Sequence, residues 1–497
     1  MAPLSFHPLH GLSGYDPARR AFLSRTAGGI GPLALGSLLG GAGIGGAGIG
    51  GARAATPTGA TADPAAARWP GVIRPYHVPP KAKRVIWLYM AGGMTHLDTF
   101  DHKPKLAAMN GEPMPESFTK GQQIAQLQGQ ALKCLGPQHA FHKVGKSGQE
   151  ISEIFPEIST RIADRIAIVK SLHTEAINHD PAHTFMNTGA MVPGRPAAGS
   201  WLWYGLGCES EDLPGFVVMV STGNYGQRQP IAARQWHSGL LPSRFQGVEF
   251  RSKGDAVLYV KPPVGLEGQR AVVDAVTRLD GLRNEAVDDP EIAARLAQYE
   301  LAFRMQSSVP GLLDLSDETA ETLALYGTKG GDGSFASNCL LARRLAERGV
   351  RFIQLYHRDW DHHGAVQEHV KGTAAEVDRG AAALVEDLER RGMLDETLVV
   401  FGTEFGRTPM AQGNGRDHHM KAFSMWLAGG GIKGGISHGA TDDLGYGVVE
   451  NPVTVHDLHA TLLHQMGIDH TRLTIRSQGR DFRLTDVHGH VVSDLIG

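Results

Sequence analysis

At 497 residues, with 41% hydrophobic and 20% charged side chains, the chain has the make-up of a globular protein able to bury a large core. Its net charge of −3 excludes a broad electrostatic attraction to nucleic acid. Three widely separated cysteines, Cys134, Cys208 and Cys339, include no C-x-x-C pair and exclude a thiolate zinc cluster, so a metal here must be held by carboxylates and imidazoles.

The amino terminus reads as an export signal. "ARRAFLSR" (18–25) carries the paired Arg19 and Arg20, an apolar Gly/Ala/Ile/Leu stretch follows to about Gly51, and "ARA" (52–54) supplies small residues at −3 and −1 of a cleavage point. This is the pattern of a twin-arginine signal over 1–54, which makes the twin-arginine export machinery a partner and places the processed protein in the periplasm or outside the cell. The stretch is too rich in glycine for a good transmembrane helix, so no stable membrane span is expected after processing. Removing its four Arg and one Asp takes the net charge from −3 to −6. Residues 55–82, rich in Ala, Thr and Pro, read as a flexible leader.

From 83 onward, "KRVIWLYMAGG" (83–93) is a continuous apolar run ending in two glycines, as in a buried parallel strand. "EISEIFPEISTRIADR" (150–165) reads as an amphipathic helix interrupted by Pro156, and "IAIVKSL" (166–172) as the second strand. "LPGFVVMVS" (213–221) and "DAVLYVKPP" (255–263) read as strands, with a charged helical region over about 266–307; the span 200–310 is expected as an insertion or cap. Then "NCLLARRLAERG" is a helix and "VRFIQLYH" a strand. "HVKGTAAEVDRGAAALVEDLERRG" is a long helix with Val377, Ala381, Leu384 and Leu388 on one stripe. "TLVVFGTEFGR" is strand then loop, "KAFSMWLAGGG" a buried strand, and "HDLHATLLHQMG" a helix capped by Thr454 or His456-Asp457. Strands alternating with helices predict an α/β fold over 83–497: a doubly wound, mostly parallel sheet flanked by helices.

In such a sheet ligands gather beyond the carboxyl ends of the strands, and the polar clusters fall there. His96 and Asp98 follow the first strand; His173, Asn178, His179, Asp180 and His183 the second; Asp359, Asp361, His362 and His363 the third; and Glu404 and Arg407 the fourth, with Asp417 and His418 beyond. Mixed carboxylate and imidazole ligands suit a divalent metal among Zn, Mn, Fe, Mg and Ca. Two ions about 4 Å apart would clamp an in-line displacement at phosphorus or sulfur, with Arg407 on the remaining oxygens. Each motif alone has a plain alternative: Glu404 pairs equally well on paper with Arg407 or Arg416, and Asp457 reads as a helix cap.

The stretches "GGMTHLDTFDHKP", "SLHTEAINHDPAHTFMNTG", "DWDHHG", "TEFGRTP", "GRDHH" and "GRDFRLTDVHGHV" resemble the bacterial domain of unknown function 1501 family, itself distantly similar to the alkaline phosphatase and sulfatase superfamily. The resemblance covers about 83–497 and implies an alkaline-phosphatase-like fold and an exported metal-dependent hydrolase of phosphate or sulfate esters, acting on a small-molecule or polysaccharide ester. It implies a metal set drawn from Asp98, Asp361, His363, Glu404, Asp417 and His418. Asp359 is the alternative to Asp361. Aligned on Pro181 and Thr188-Gly189, the sulfatase nucleophile position is His179 and its arginine position is His183. That makes His179 the catalytic residue and His183, with Arg407, the substrate-binding pair; His179 also reads as a metal ligand or as a hydrogen-bonded loop histidine. With no Ser or Cys at the nucleophile position, the competing reading is a non-catalytic member binding anionic polysaccharide or a protein partner at the cell surface.

Overall fold

The computed structural model describes residues 69–497 except 123, 222, 228, 253–255, 258–264 and 288. The expected export signal, the first half of the leader and most of the strand expected at 255–263 lie outside the described residues.

The strands of the central sheet and of the site are β1 Arg84–Met90, β2 Ile166–His173, β3 Phe216–Ser221, β4 Val248–Phe250, β5 Phe352–His357, β6 Thr397–Gly402, β7 Gly406–Gln412, β8 Gly415–His419, β9 Phe423–Ala428, β10 Ile436–His438 and β11 Val453–Thr454. All but β7 and β8 form one nine-stranded sheet in the order β10-β2-β9-β6-β1-β5-β3-β4, with β11 added beside β2. Only β9 runs antiparallel to its neighbours. The major helices are α1 His179–Thr188, α2 Ala198–Leu206, α3 Gly265–Val287, α4 Pro290–Leu313, α5 Phe335–Glu347, α6 Val366–Arg390 and α7 Val455–Gln465.

Strand β1 is buried on both faces, which is why its sequence is apolar without alternation. Ile86, Leu88 and Met90 pack with Leu340 and Leu345 of α5 and with Val377, Ala381, Leu384 and Leu388 of α6. On the other face Val85, Trp87 and Tyr89 pack with Met186 of α1, Trp201 of α2, and Leu458 and Leu462 of α7. Helices on both faces make this the doubly wound, mostly parallel α/β sheet that the alternation predicts. Burying each such aliphatic side chain stabilises by about 1.5–3 kcal/mol.

Three local expectations are corrected. The helix expected over 150–165 does not run its full length. Gln149–Ser152 pairs as an antiparallel hairpin with Phe141–Val144, and the helical stretch begins only at Pro156, as a wide turn, Ile158–Ile162, that tightens over Ala163–Arg165. Pro156 cannot continue a ladder, and Glu157 N and Ile158 N donate instead to the Asp378 carboxylate of α6 at 2.8 and 2.9 Å. The loop expected after β6 is a two-stranded ribbon, β7-β8, turned through Gly413 and Asn414, and it sets His418 opposite Arg407. Residues 69–82 are pinned where the leader was expected to be flexible: Val72 N and Ile73 N donate to Tyr204 O and Gly205 O at 3.2 and 2.9 Å. Within the span read as an insertion or cap, β3 and β4 extend the main sheet. Among the described residues no helix is long and apolar enough to cross a membrane.

Candidate metal centre

The carboxyl ends of β1, β2, β5 and β6 lie along one edge of the sheet, and the chain segments leaving them meet there. After β1, Gly92 and Gly93 adopt φ of +128° and +77°. A Cβ on Gly92 would lie 2.5 Å from Asp361 N, and one on Gly93 2.5 Å from the Phe405 ring, so this passage requires glycine. After β2 the chain enters α1, whose Asn178 precedes it in extended geometry and whose Gly189 ends it in the left-handed region at φ +67°. His179 and His183 therefore sit four residues apart on one helical face. Their rings stack with centroids 5.9 Å apart.

Asp361, 22% exposed at its side chain, stands at the middle. His363 Nε2 lies 2.9 Å from Asp361 Oδ1, His418 Nε2 lies 3.3 Å from the same oxygen, and His179 Nε2 lies 3.3 Å from Oδ2. His363 Nε2 and His418 Nε2 are 2.9 Å from each other. The other ring nitrogens are committed. His418 Nδ1 meets Ile177 O at 2.8 Å, and His363 Nδ1 meets Gln412 Oε1. Those oxygens can only accept, so both Nδ1 atoms carry the hydrogen and, in the neutral rings, both Nε2 atoms present lone pairs. Two lone pairs 2.9 Å apart beside a carboxylate need a cation or a proton between them.

On the other side, His179 Nδ1 lies 2.9 Å from Glu404 Oε1. Glu404 is fully buried and also accepts from Gly92 N at 2.9 Å and from Thr403 Oγ1 at 3.0 Å. His183, equally buried, is held at Nδ1 by Tyr89 OH at 2.9 Å, while its Nε2 stops 3.7 Å from Glu404 Oε1 without a hydrogen-bond partner. His179 Nε2 likewise has no partner of hydrogen-bond geometry.

The charges follow from this packing. Burial alone would lower the His179 pKa, but the Asp361 and Glu404 carboxylates outweigh it and raise it to about 9. Burial works to raise Glu404, and His183 and His179 beside it carry it down to about 2. Burial likewise opposes ionisation of Asp361, yet the imidazoles of His179, His363 and His418 and the Arg407 charge beside it hold it well below the usual carboxylate range. His183 and His418 are lowered, chiefly by burial.

Among the residues expected at the site, Asp361, His363, Glu404 and His418 come together. His179 and His183 join them through ring nitrogens, His183 from the buried interior and not from a substrate face. Asp98 does not join: it is fully buried against Arg416, with Oδ2 2.8 Å from Nε. Asp417 turns the other way and accepts Leu127 N at 2.9 Å. Asp359, the alternative to Asp361, is spent on the loop after β3, accepting Tyr225 N, Gly226 N and Gln227 N at 2.6, 3.2 and 2.7 Å. Arg407 is fully buried and donates to Gly92 O, Gly93 O and Arg416 O as well as to Asp361, so it holds the site together from below. Glu404 pairs with neither Arg407 nor Arg416.

Two contributors escape sequence reasoning. Gln227 brackets the main chain of Asp361, accepting its N–H at 3.0 Å and donating to its carbonyl at 2.8 Å. Tyr89 looks like any core residue of β1. The meeting of His179 and His183 did have a signal: His-x-x-x-His directly after an Asn and before Thr-Gly, the spacing of one helical face.

Fold and site together define an α/β protein with a histidine–carboxylate centre at the carboxyl edge of a doubly wound sheet. The chain belongs to the family described as "Protein of unknown function (DUF1501)", matched over residues 82–496. No curated protein matches the sequence. Among solved structures, the chain is similar to Ps i-CgsB in complex with k-i-k-neocarrahexaose, at 12% identity and a TM-score of 0.35, over 78% of this chain and 72% of that one. It is similar to the PsFucS1 sulfatase from Pseudoalteromonas sp. at 10% identity and 0.31, over 78% and 68%. It is similar to the phosphonate monoester hydrolase of Agrobacterium radiobacter at 10% identity and 0.33, over 78% and 74%. At such distance these likenesses carry nothing about the chemistry of this chain, which rests on its own residues.

Proposed function

We propose that this protein is an exported metal-dependent hydrolase of phosphate or sulfate esters, with Asp361, His363, His418 and His179 Nε2 holding a divalent cation. The observation that carries the reading is the convergence of three imidazole Nε2 atoms on one carboxylate, two of the rings oriented by acceptors at Nδ1. Histidines that bind metals are commonly fixed in this way by a partner at the far nitrogen. The buried, unpartnered Nε2 of His179 supports the fit, as does a nitrogen-rich donor set of the kind Zn, Mn or Fe favours. A divalent cation held there would act as a Lewis acid on an ester oxygen at phosphorus or sulfur.

The chain's own residues do the rest. Arg407 anchors Asp361 from below and joins it to the β1 loop. Gln227 fixes its main chain. His363 and Asp361, at 27% and 22% side-chain exposure, form the face open to solvent, from which an ester approaches. His179, expected as an attacking group, has each ring nitrogen turned toward a carboxylate and serves as a ligand in this reading. The residues at 18–54 support export by the twin-arginine route to the periplasm or beyond, and accumulation in the cytoplasm of a host lacking that route tests it.

Elemental mass spectrometry on the folded, processed protein, beside His418→Ala, is the test of the site. Bound transition metal lost in the variant supports the centre, and turnover of a phosphate or sulfate ester panel then supports the enzyme. No metal after loading with Zn, Mn, Fe and Ca overturns the proposed chemistry. One observation favours a second reading, a non-catalytic protein binding anionic polysaccharide or a partner protein: a histidine, not a Ser or Cys, stands at the expected nucleophile position. Metal without turnover, together with ligand binding, selects it.

A further inference from the structure

The donors around His179 divide into two groups. Nε2 faces Asp361, 3.3 Å away, and His418 beyond it. Nδ1 faces Glu404 Oε1, 2.9 Å away, and behind that oxygen lies His183 Nε2. The donor atoms of His179, His183 and Glu404 fall within 4.8 Å of one another, as do those of His179, Asp361 and His418. The deeper group is sealed, because His183 and Glu404 are both fully buried. In it His183 Nε2 has no hydrogen-bond partner, although the ring is fixed by Tyr89 OH at 2.9 Å and by the stack on His179. A buried imidazole nitrogen aimed at a carboxylate oxygen but 3.7 Å from it is too far for a hydrogen bond. It is placed as two ligands of one ion are placed, facing a common point and not each other.

We infer that His183, Glu404 and Nδ1 of His179 form a second, deeper cation site, so that the single ring of His179 is shared by two ions, one on each nitrogen, as an imidazolate whose two N–H protons are displaced to solvent, one by each ion. The inference rests on the reading of this edge as a metal centre and extends it from one ion to two. The ligand types of the deeper group, two imidazoles and one carboxylate, suit Zn or another first-row divalent ion better than Ca or Mg. Tyr89 is the positioning residue of the deeper site, holding His183 at its far nitrogen. Being sealed from solvent, the deeper ion exchanges slowly, while the outer one, beside the half-exposed His363, exchanges first.

The test is a copper(II) titration of the full, metal-stripped chain, followed by elemental analysis and electron paramagnetic resonance, with circular dichroism to check the fold. Two equivalents are expected. The first gives an isolated copper spectrum; the second removes much of that signal, because ions on the two nitrogens of one ring are exchange-coupled. His183→Gln is expected to bind one equivalent with an uncoupled spectrum and to retain the fold. One equivalent in the natural sequence, unchanged in His183→Gln, overturns the second site and leaves the outer centre standing. Two equivalents with full uncoupled intensity overturn the shared ring. No bound copper, zinc or manganese overturns the metal reading and this inference together. Should His183→Gln fail to fold, the spectrum of the natural sequence at two equivalents decides alone.

Discussion

Replacing Asp98 separates a structural carboxylate from a metal ligand. The side chain lies on the loop after β1, where the sequence places it among the ligands, but its oxygens are fully engaged elsewhere. It accepts Thr95 Oγ1, Gln138 N and Arg416 Nε, each at 2.8 Å, and Arg416 Nη2 at 3.3 Å. Arg416 in turn donates to Leu135 O, Thr408 O and Gly136 O at 2.9, 3.1 and 2.8 Å, tying the β7-β8 ribbon to the β1 loop. Asp98→Ala leaves a fully buried guanidinium without its counter-charge, a change that costs about 3–5 kcal/mol, or roughly two to four decades in the unfolding equilibrium. Asp98→Asn keeps the shape and some of the acceptors and should cost about 1.5–3 kcal/mol. Combining Asp98→Leu with Arg416→Met removes both charges and should cost less than the two single changes added. The pH dependence has a definite sign. Burial works to raise the Asp98 pKa, but Arg416 outweighs it and holds it below the ordinary aspartate value of 3.8. Its contribution is therefore present above about pH 4 and is lost as pH falls through the depressed value, so the gap between the natural sequence and Asp98→Ala narrows in acid. Chemical denaturation at pH 7 and pH 3, with metal content measured on the same samples, is the assay. An Asp98→Ala protein of unchanged stability that has lost its metal would refute the structural role and return Asp98 to the ligand set.

Gln227→Ala removes both hydrogen bonds to the main chain of Asp361 and should weaken metal binding about 10–100-fold with little change in the unfolding midpoint, read by competition with a chromogenic chelator. Gly93→Ala must place a Cβ at φ +77° and 2.5 Å from the Phe405 ring; left-handed strain alone costs about 1–2 kcal/mol, and the clash adds to the drop in melting temperature. Asp378, raised to about 6 chiefly by burial, binds more protons folded than unfolded between about pH 4 and 6. Its contribution therefore falls as pH climbs through that window, by about 2–3 kcal/mol, and Asp378→Asn should flatten that part of the stability profile measured against the natural sequence.

Where burial wrote the sequence, the fold was legible. The largely apolar runs of β1, β5, β6 and β9 and the Val377-Ala381-Leu384-Leu388 stripe of α6 each reflect a buried element, and the alternation of such elements fixes the doubly wound class. What failed was local and polar. Residues 150–165 carry Ile at helical spacing, but the chain answers to Asp378, more than two hundred residues away, whose carboxylate takes the two amides after Pro156. Ionised side chains near strand ends posed the same difficulty. Asp98, Asp359 and Asp361 are the same residue type in similar loops, yet one meets Arg416, one a run of loop amides, and only the third meets imidazoles. Nothing in the order of residues distinguishes them, because each is assigned by partners brought from other strands.

The strand-end rule thus told where chemistry gathers but not which carboxylate does it. The better discriminator was geometric and already present in the sequence: His179 and His183 at helical spacing. An imidazole pair on one turn of a helix, fixed at its amino end by the sheet edge, can turn three ring nitrogens toward two carboxylates without any long-range coincidence beyond the arrival of β5 and β6. That is why the metal reading rests on this helix as much as on the loop at 359–363, which supplies Asp361 and His363.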